Sequence, residues 1–175
     1  MKMGRMRTMN REFEEFFAYA KPILLHPIYR LQKHYSHHTR SLYDHSVLVA
    51  YCAFKMGKRL SLDVESIVRG ALLHDFFLYD WHIEGKKHPK KLFKKHGFTH
   101  AKKSYINASF FFQLNVVEKD IILKHMFPLN IRSPLYIESW LVNVVDNIIT
   151  FREYFFHRNG KPHSVLEEID QRIKK

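Results

Sequence analysis

Apolar residues recur along the chain at spacings of three and four, in windows separated by Pro, Gly and short polar clusters, with no alternating pattern of any weight. That periodicity predicts helices. Asn10 is a candidate cap for a first helix, Arg11 to about Tyr19, with Phe13, Phe16, Phe17 and Ala20 on one face. Pro22 and Pro27 punctuate the next segment, and Ile28, Leu31 and Tyr35 suggest a short second helix. Thr39 or Ser41 opens a longer one, in which Leu42, His45, Val49, Cys52 and Met56 share a face, and Gly57 or the pair Lys58-Arg59 ends it. Ser61 or Asp63 caps the next, whose Val64, Ile67, Val68, Ala71 and Leu72 run into His74-Asp75. Gly97 breaks the chain before Thr99, which caps a helix from His100 through Ala101, Tyr105, Ala108 and Phe112. Asn115 and Glu118 have capping-box spacing ahead of Ile121, Ile122 and His125, and Pro128 stops that helix. Ser133-Pro134 is a start signal for a long helix with Trp140, Leu141, Val144, Val145, Ile148 and Ile149 as its core and Asp146 inside the run. Residues His157 to Pro162 read as a loop and Val165 to Ile173 as a closing helix. The expectation is one all-α domain of about six to eight helices spanning residues 1–175: N-terminal helices within 10–35, a core of about 42–152, and a C-terminal helix of about 164–174.

Composition narrows the class. A chain of 175 residues, 46% hydrophobic, is long enough for one domain with a sizeable core. No apolar run is long enough to span a bilayer. The basic stretch Met1 to Arg11 leads into Glu12, Glu14 and Glu15 rather than an apolar signal region. The single cysteine, Cys52, excludes a disulfide framework and a Cys-rich zinc site. Together these point to the cytoplasm. A net charge of +12 and a pI near 9.8 favour anionic partners: phosphorylated small molecules, nucleic acid or an acidic membrane surface. Lysines crowd one segment: Lys86, Lys87, Lys90, Lys91, Lys94, Lys95, Lys102 and Lys103. Such runs are usually solvated loops. Here Leu92, Phe93 and Phe98 interleave, which allows a short docked helix. The cluster His34, His37 and His38 lacks apolar periodicity and reads as a polar loop.

The chain is organised around Ala71-Leu72-Leu73-His74-Asp75-Phe76-Phe77-Leu78-Tyr79. Most of this stretch favours burial, and burying an unpaired carboxylate costs several kcal/mol, order of magnitude. Asp75 therefore needs a partner, and a metal ion is one of the strongest. Alone, the doublet is equally a helix end with Asp75 turned to water. Five helices, however, each carry candidate ligands: His45, His74-Asp75, His100, His125 and Asp146. Four imidazoles and two carboxylates without a thiolate suit Mn(II) or Fe(II) better than a structural zinc. Six ligands are too many for one catalytic ion with an open position, and a natural number for two ions sharing a carboxylate.

His45 within Asp44-His45-Ser46-Val47, the doublet after Ala71-Leu72-Leu73, and Asp146 within Val144-Val145-Asp146-Asn147 resemble, in order and context, the signature of the HD-domain superfamily. The resemblance covers about Leu42 to Arg152 and implies a helical HD-domain bundle. His100 and His125 fill the two further positions of its dinuclear branch, which includes cyclic-di-nucleotide phosphodiesterases and HD-type symmetrical diadenosine tetraphosphate hydrolases. His96 competes with His100, which is preferred because a helix start fixes its direction. The resemblance implies that His45, His74, Asp75 and Asp146 hold one ion, and that Asp75 bridges to a second held by His100 and His125. A hydroxide between ions roughly 3.5–4 Å apart would then attack phosphorus. The implied activity is hydrolysis of a phosphate ester or anhydride of a nucleotide or other small phosphorylated molecule. Asp80 is a candidate acid or base. Lys90, Lys94, Lys102, Lys103 and Arg152 are candidate phosphate contacts. Trp81 could stack on a base, though a lone aromatic more often packs. The run His74-Asp75-Phe76-Phe77-Leu78 lacks the Lys that many HD phosphohydrolases carry after the doublet. It also lacks the acidic pair of the guanosine tetraphosphate hydrolases. His125-Met126-Phe127-Pro128-Leu129 lacks the Gly-Tyr-Pro motif of the cyclic-di-nucleotide branch. HD-type diiron oxygenases resemble the chain equally at the ligands. A basic nucleic-acid-binding module without catalysis is a third reading, with no recognised binding motif behind it.

Overall fold

The computed structural model describes residues 2–37, 40–77, 89–155 and 164–174, with side chains for 11–35, 41–77, 100–155 and 164–174. Asp80, Trp81, Lys86, Lys87, His38, Thr39 and the loop expected at 157–162 lie outside the described residues. The side chains of Lys90, Lys91, Lys94, Lys95 and His96 do as well. The described chain is helical: α1 (Lys2–Leu24), α2 (Pro27–Arg30), α3 (Leu42–Arg59), α4 (Val64–Leu73), α5 (Pro89–Phe111), α6 (Val116–Lys124), α7 (Ile137–Phe155) and α8 (Ser164–Ile173). A 3₁₀ turn (Leu31–His34) follows α2, and a minimal antiparallel pairing of β1 (Ser36–His37) with β2 (Arg40–Ser41) leads into α3. Among the described residues no helix is long and apolar enough to cross a membrane.

Local chemistry explains three of the helix starts directly. Ser41 accepts the Asp44 N–H at 3.0 Å to cap α3. Asp63 accepts that of Ser66 at 3.1 Å to cap α4. Asn115 and Glu118 form a reciprocal capping box on α6, at 2.8 and 3.1 Å. Other boundaries differ from expectation. The first helix outruns both predicted ends and contains Pro22, because Ile23 and Leu24 are fully buried and hold the last turn in place. α5 begins eleven residues before His100, at Pro89, and continues through Gly97. Proline at the first helical position is a start signal that the lysine run obscured. Ser133-Pro134 does not open α7. The Leu135 N–H is held by the Asp120 carboxylate at 2.8 Å, which ties this segment to α6 as a turn, and the helix starts at Ile137.

The core lies where α3 packs on α4, α7 and α8, with α6 closing on α4 and α7, and α1 on the outside of α4. Because α3 is central, it is buried on more than the predicted stripe: Val47, Leu48, Ala50, Ala53 and Phe54 are inside, while Met56 is exposed. Gly57 does not end α3, which runs on to Arg59. It lies inside the fold, where an added Cβ would meet Ile67 Cδ1 at 2.5 Å. The core expected for α7 holds in half: Leu141 and Val145 are buried and Ile149 packs against them, while Trp140, Val144 and Ile148 are exposed, and the buried face also carries Val142, Asn143, Asp146 and Glu153. Two contacts anchor the segment at the end of α4: the Tyr29 hydroxyl donates to Leu72 O at 3.0 Å, and Asn107 Nδ2 on α5 donates to Phe76 O at 3.0 Å.

Gly70 sets the approach of α4 to α6. A Cβ there would lie 2.6 Å from Ile121 Cδ1, 3.0 Å from its Cβ and 3.1 Å from its Cγ2. Helix propensity alone would favour Gly70→Ala by about 1 kcal/mol. Overpacking a tight contact costs about 1–3 kcal/mol, and Ile121 cannot yield with its tip alone. Gly70→Ala should therefore lower the melting temperature by a few degrees, and Gly57→Ala by less, because only the mobile end of Ile67 is in its way. Thermal unfolding of the two variants checks the order.

Candidate metal centre

Two helix C-termini deliver an imidazole each. His74 caps α4 and His125 caps α6, both in helical conformation. His74 Nδ1 lies 2.6 Å from Ala71 O, and His125 Nδ1 lies 2.8 Å from Ile122 O. A carbonyl only accepts, so each Nδ1 carries the proton and each Nε2 presents a lone pair. The negative ends of both helix dipoles lie beside these imidazoles, which favours a cation there. Asn143 on α7 locks the second of these ends by donating to His125 O at 2.5 Å and Phe127 O at 2.8 Å.

The other side chains converge on these two nitrogens. One ligand atom each from His45, His74 and Asp146 lies within 4.8 Å of the others, and the same holds for Asp75, His100 and His125. In the first cluster His45 Nε2 is 3.0 Å and His74 Nε2 3.7 Å from Asp146 Oδ1. In the second, His100 Nε2 and His125 Nε2 lie 3.2 and 3.3 Å from Asp75 Oδ1 and 2.8 Å from each other. Asp75 joins the clusters: Oδ1 faces His100 and His125, while Oδ2 lies 3.5 Å from His74 Nε2. All six residues are at most 9% exposed. The residues fit divalent cations. His74 Nε2 is buried without a hydrogen bond, two imidazole nitrogens face each other, and the donors are nitrogen and carboxylate oxygen.

Electrostatics favour ligand-ready carboxylates. Burial raises the Asp75 carboxyl, but His74 and the close imidazoles of His100 and His125 outweigh it and hold the group well below the usual range. Asp146 is likewise depressed: its burial is outweighed by His74 and His45. Burial lowers His45, yet Asp146 and Glu153 push it up to about 10. His74 is raised against burial by Asp75 and Asp146. His125 is lowered, because burial exceeds the pull of Asp75, and it is thus kept neutral. In the metal-free protein, the extra proton on His45 supplies positive charge that the buried carboxylates require.

Of the residues singled out in the sequence, the six candidate ligands come together. Lys102 and Lys103 are exposed on α5. Arg152 is exposed on α7, where its charge is felt at Cys52. It follows Asp146 by six residues, which leaves it about 120° round the helix. The residue two full turns on is Glu153, which is buried with Oε2 3.3 Å from His45 Nδ1. Glu153 and Asn143 escaped the sequence reading. The available signal was a polar stripe at spacings of three and seven, Asn143, Asp146 and Glu153, within an apolar helix.

The raised His45 stabilises the metal-free fold fully below its ordinary pKa of 6.5, and that contribution is lost as pH rises through about 10. The depressed Asp146 contributes above the ordinary carboxylate range and is lost on acidification. The melting temperature of chelator-treated protein should therefore peak between about pH 4 and 6.5 and fall steadily towards pH 10. Mn(II) should remove the alkaline fall, since a cation displaces those protons. Melting curves across this range, with and without metal, check both signs.

No curated protein and no solved structure matches the chain. The family model described as HD domain matches residues 42–150, from the first residue of α3 to the last turns of α7. That stretch is more than half of the chain and contains both clusters. HD domains bind divalent metals and are in general metal-dependent phosphohydrolases. The matched span and the buried His and Asp clusters within it lead to one conclusion: this chain belongs to the HD domain family.

Proposed function

We propose that the protein is a dinuclear metal-dependent phosphohydrolase acting on a small phosphorylated molecule, a nucleotide being the leading class. One observation carries this reading: Asp75 turns a different oxygen to each of two buried clusters. His45, His74 and Asp146 would hold one cation, His100 and His125 the other, and Asp75 would bridge them. Iron and manganese suit these donors best. When bound, such a pair lowers the pKa of a water and neutralises charge on a phosphoryl group.

The chain's own residues do the rest. The Ala71 and Ile122 carbonyls keep the His74 and His125 protons on Nδ1, away from the centre. The walls exclude bulk water through Phe76 and Phe77, which are buried beside Asp75. The net charge of +12 draws anions to the surface. Lys103 lies one turn beyond His100 on α5, so Lys102 and Lys103 are candidates for phosphate capture, with Lys90 and Lys94 from the same helix. Arg152 and Asp80 complete the proposed set, as a further phosphate contact and as an acid or base. The deciding experiment is a phosphatase and nucleotide panel with Mn(II) or Fe(II) under anaerobic conditions. Turnover without oxygen supports hydrolysis. Turnover only with oxygen would replace this reading by a diiron oxygenase.

Asp75→Asn should be the most damaging single change. It should lower kcat by roughly 10²–10³-fold or more, the scale of losing a preorganised charge, with the fold retained by circular dichroism. Asp146→Ala should lose metal and activity together without unfolding the domain, and metal analysis beside the assay checks this. Lys102→Ala with Lys103→Ala should act differently. KM should rise with kcat nearly unchanged, and the effect should shrink as salt screens the field.

A further inference from the structure

His45 is held by a different device from His74 and His125. Those two sit at helix ends, where unsatisfied carbonyls accept their ring protons. His45 lies inside the first half of α3, where carbonyls bond the next turn of the helix. Its Nδ1 instead faces Glu153 Oε2 at 3.3 Å, while Nε2 faces Asp146 Oδ1 at 3.0 Å. Both carboxylates come from one face of α7, two turns apart, so a single helix grips both sides of the ring. Burying a carboxylate is costly and becomes favourable only with well-placed partners. Packing alone would be served by an apolar residue at this position. Charge accounting points the same way. Two divalent cations bring four positive charges, and Asp75 and Asp146 offset two of them. Glu153 offsets a third and leaves one for an anionic ligand.

We propose that Glu153 is a positioning residue for the cation site of His45, His74 and Asp146. It accepts a hydrogen bond from the Nδ1–H of His45, fixes the ring so that the Nε2 lone pair points into the cluster, and makes that nitrogen a stronger ligand. Carboxylates placed behind a ligating imidazole typically change metal affinity by about 10–100-fold. The inference deepens the dinuclear reading and rests on it. It predicts that the two sites respond differently to one substitution.

The test uses the full chain, stripped with chelator and titrated with Mn(II) against a competing fluorescent chelator. Wild type should take up two ions. Glu153→Gln, which keeps shape and an acceptor but removes the charge, should weaken one site by roughly 10–100-fold and leave the other unchanged. Glu153→Leu, which also removes the acceptor, should weaken that site further. A second background assigns the site. With His125→Ala, which spares the His45 cluster, Glu153→Gln should produce the same loss. With His45→Ala it should produce none. The spin-coupled Mn(II) pair should disappear from the spectrum of Glu153→Gln at metal concentrations that saturate wild type. Unchanged affinities at both sites in Gln and Leu variants, with only the melting temperature altered, would make Glu153 a structural residue and overturn the proposal. Equal weakening of both sites would overturn it too. Fewer than two ions in wild type would overturn the dinuclear reading itself, a result separable from the other two.

Discussion

The fold is arranged to bury charge. Asp75 and Asp146 sit among five helices with at most 9% of their surface exposed. A carboxylate placed there alone would be protonated or would disrupt the core. The imidazoles of His45, His74, His100 and His125 surround the two groups and keep them ionised. Each has its own structural reason to be there. His74 and His125 cap helices, His45 rides the central helix, and His100 is carried by α5. Removing one would leave a buried carboxylate short of a partner, so packing and candidate chemistry impose the same constraint on the sequence.

α7 shows how this constraint overrides hydrophobic patterning. Its apolar residues are numerous enough to suggest a broad buried stripe from Trp140 to Ile149, yet only Leu141, Val145 and Ile149 of that stripe turn inward, and Trp140, Val144 and Ile148 face outward. The inward face is mixed. Val142 and Val145 pack, while Asn143 fastens the end of α6, and Asp146 and Glu153 meet His45. Periodicity reports that a helix has two faces. It does not say which face goes inward when the core itself contains ionised groups.

Features set by neighbouring residues were legible in the chain. The capping box of Asn115 and Glu118, the cap at Asp63 and the helical nature of the fold are local or periodic. The candidate ligands stood out because several of them interrupt apolar runs and the rest fill the positions that the family resemblance implies, and the six do converge. Features that depend on distant partners were not legible. Ser133-Pro134 has the composition of a helix start, and only the carboxylate of Asp120, thirteen residues earlier, makes it a turn. Pro22 looked like a helix end, and burial of Ile23 and Leu24 keeps the helix going. Glu153 reads as an ordinary helix-surface residue until α3 is seen beside it.

The way the ligands are mounted has a mechanical consequence. Asp75 is positioned by the end of α4 through the backbone bonds of Phe76 and Phe77 and by Asn107, while His100 is positioned well inside α5. Asn107 stands two turns beyond His100 on the same helix, so its bond to Phe76 O ties the carrier of one ligand to the segment that holds another. A slide of α5 along its axis would displace His100 and pull on the anchor beside Asp75 at the same time, so the spacing of these two ligands is under the control of a single rigid rod.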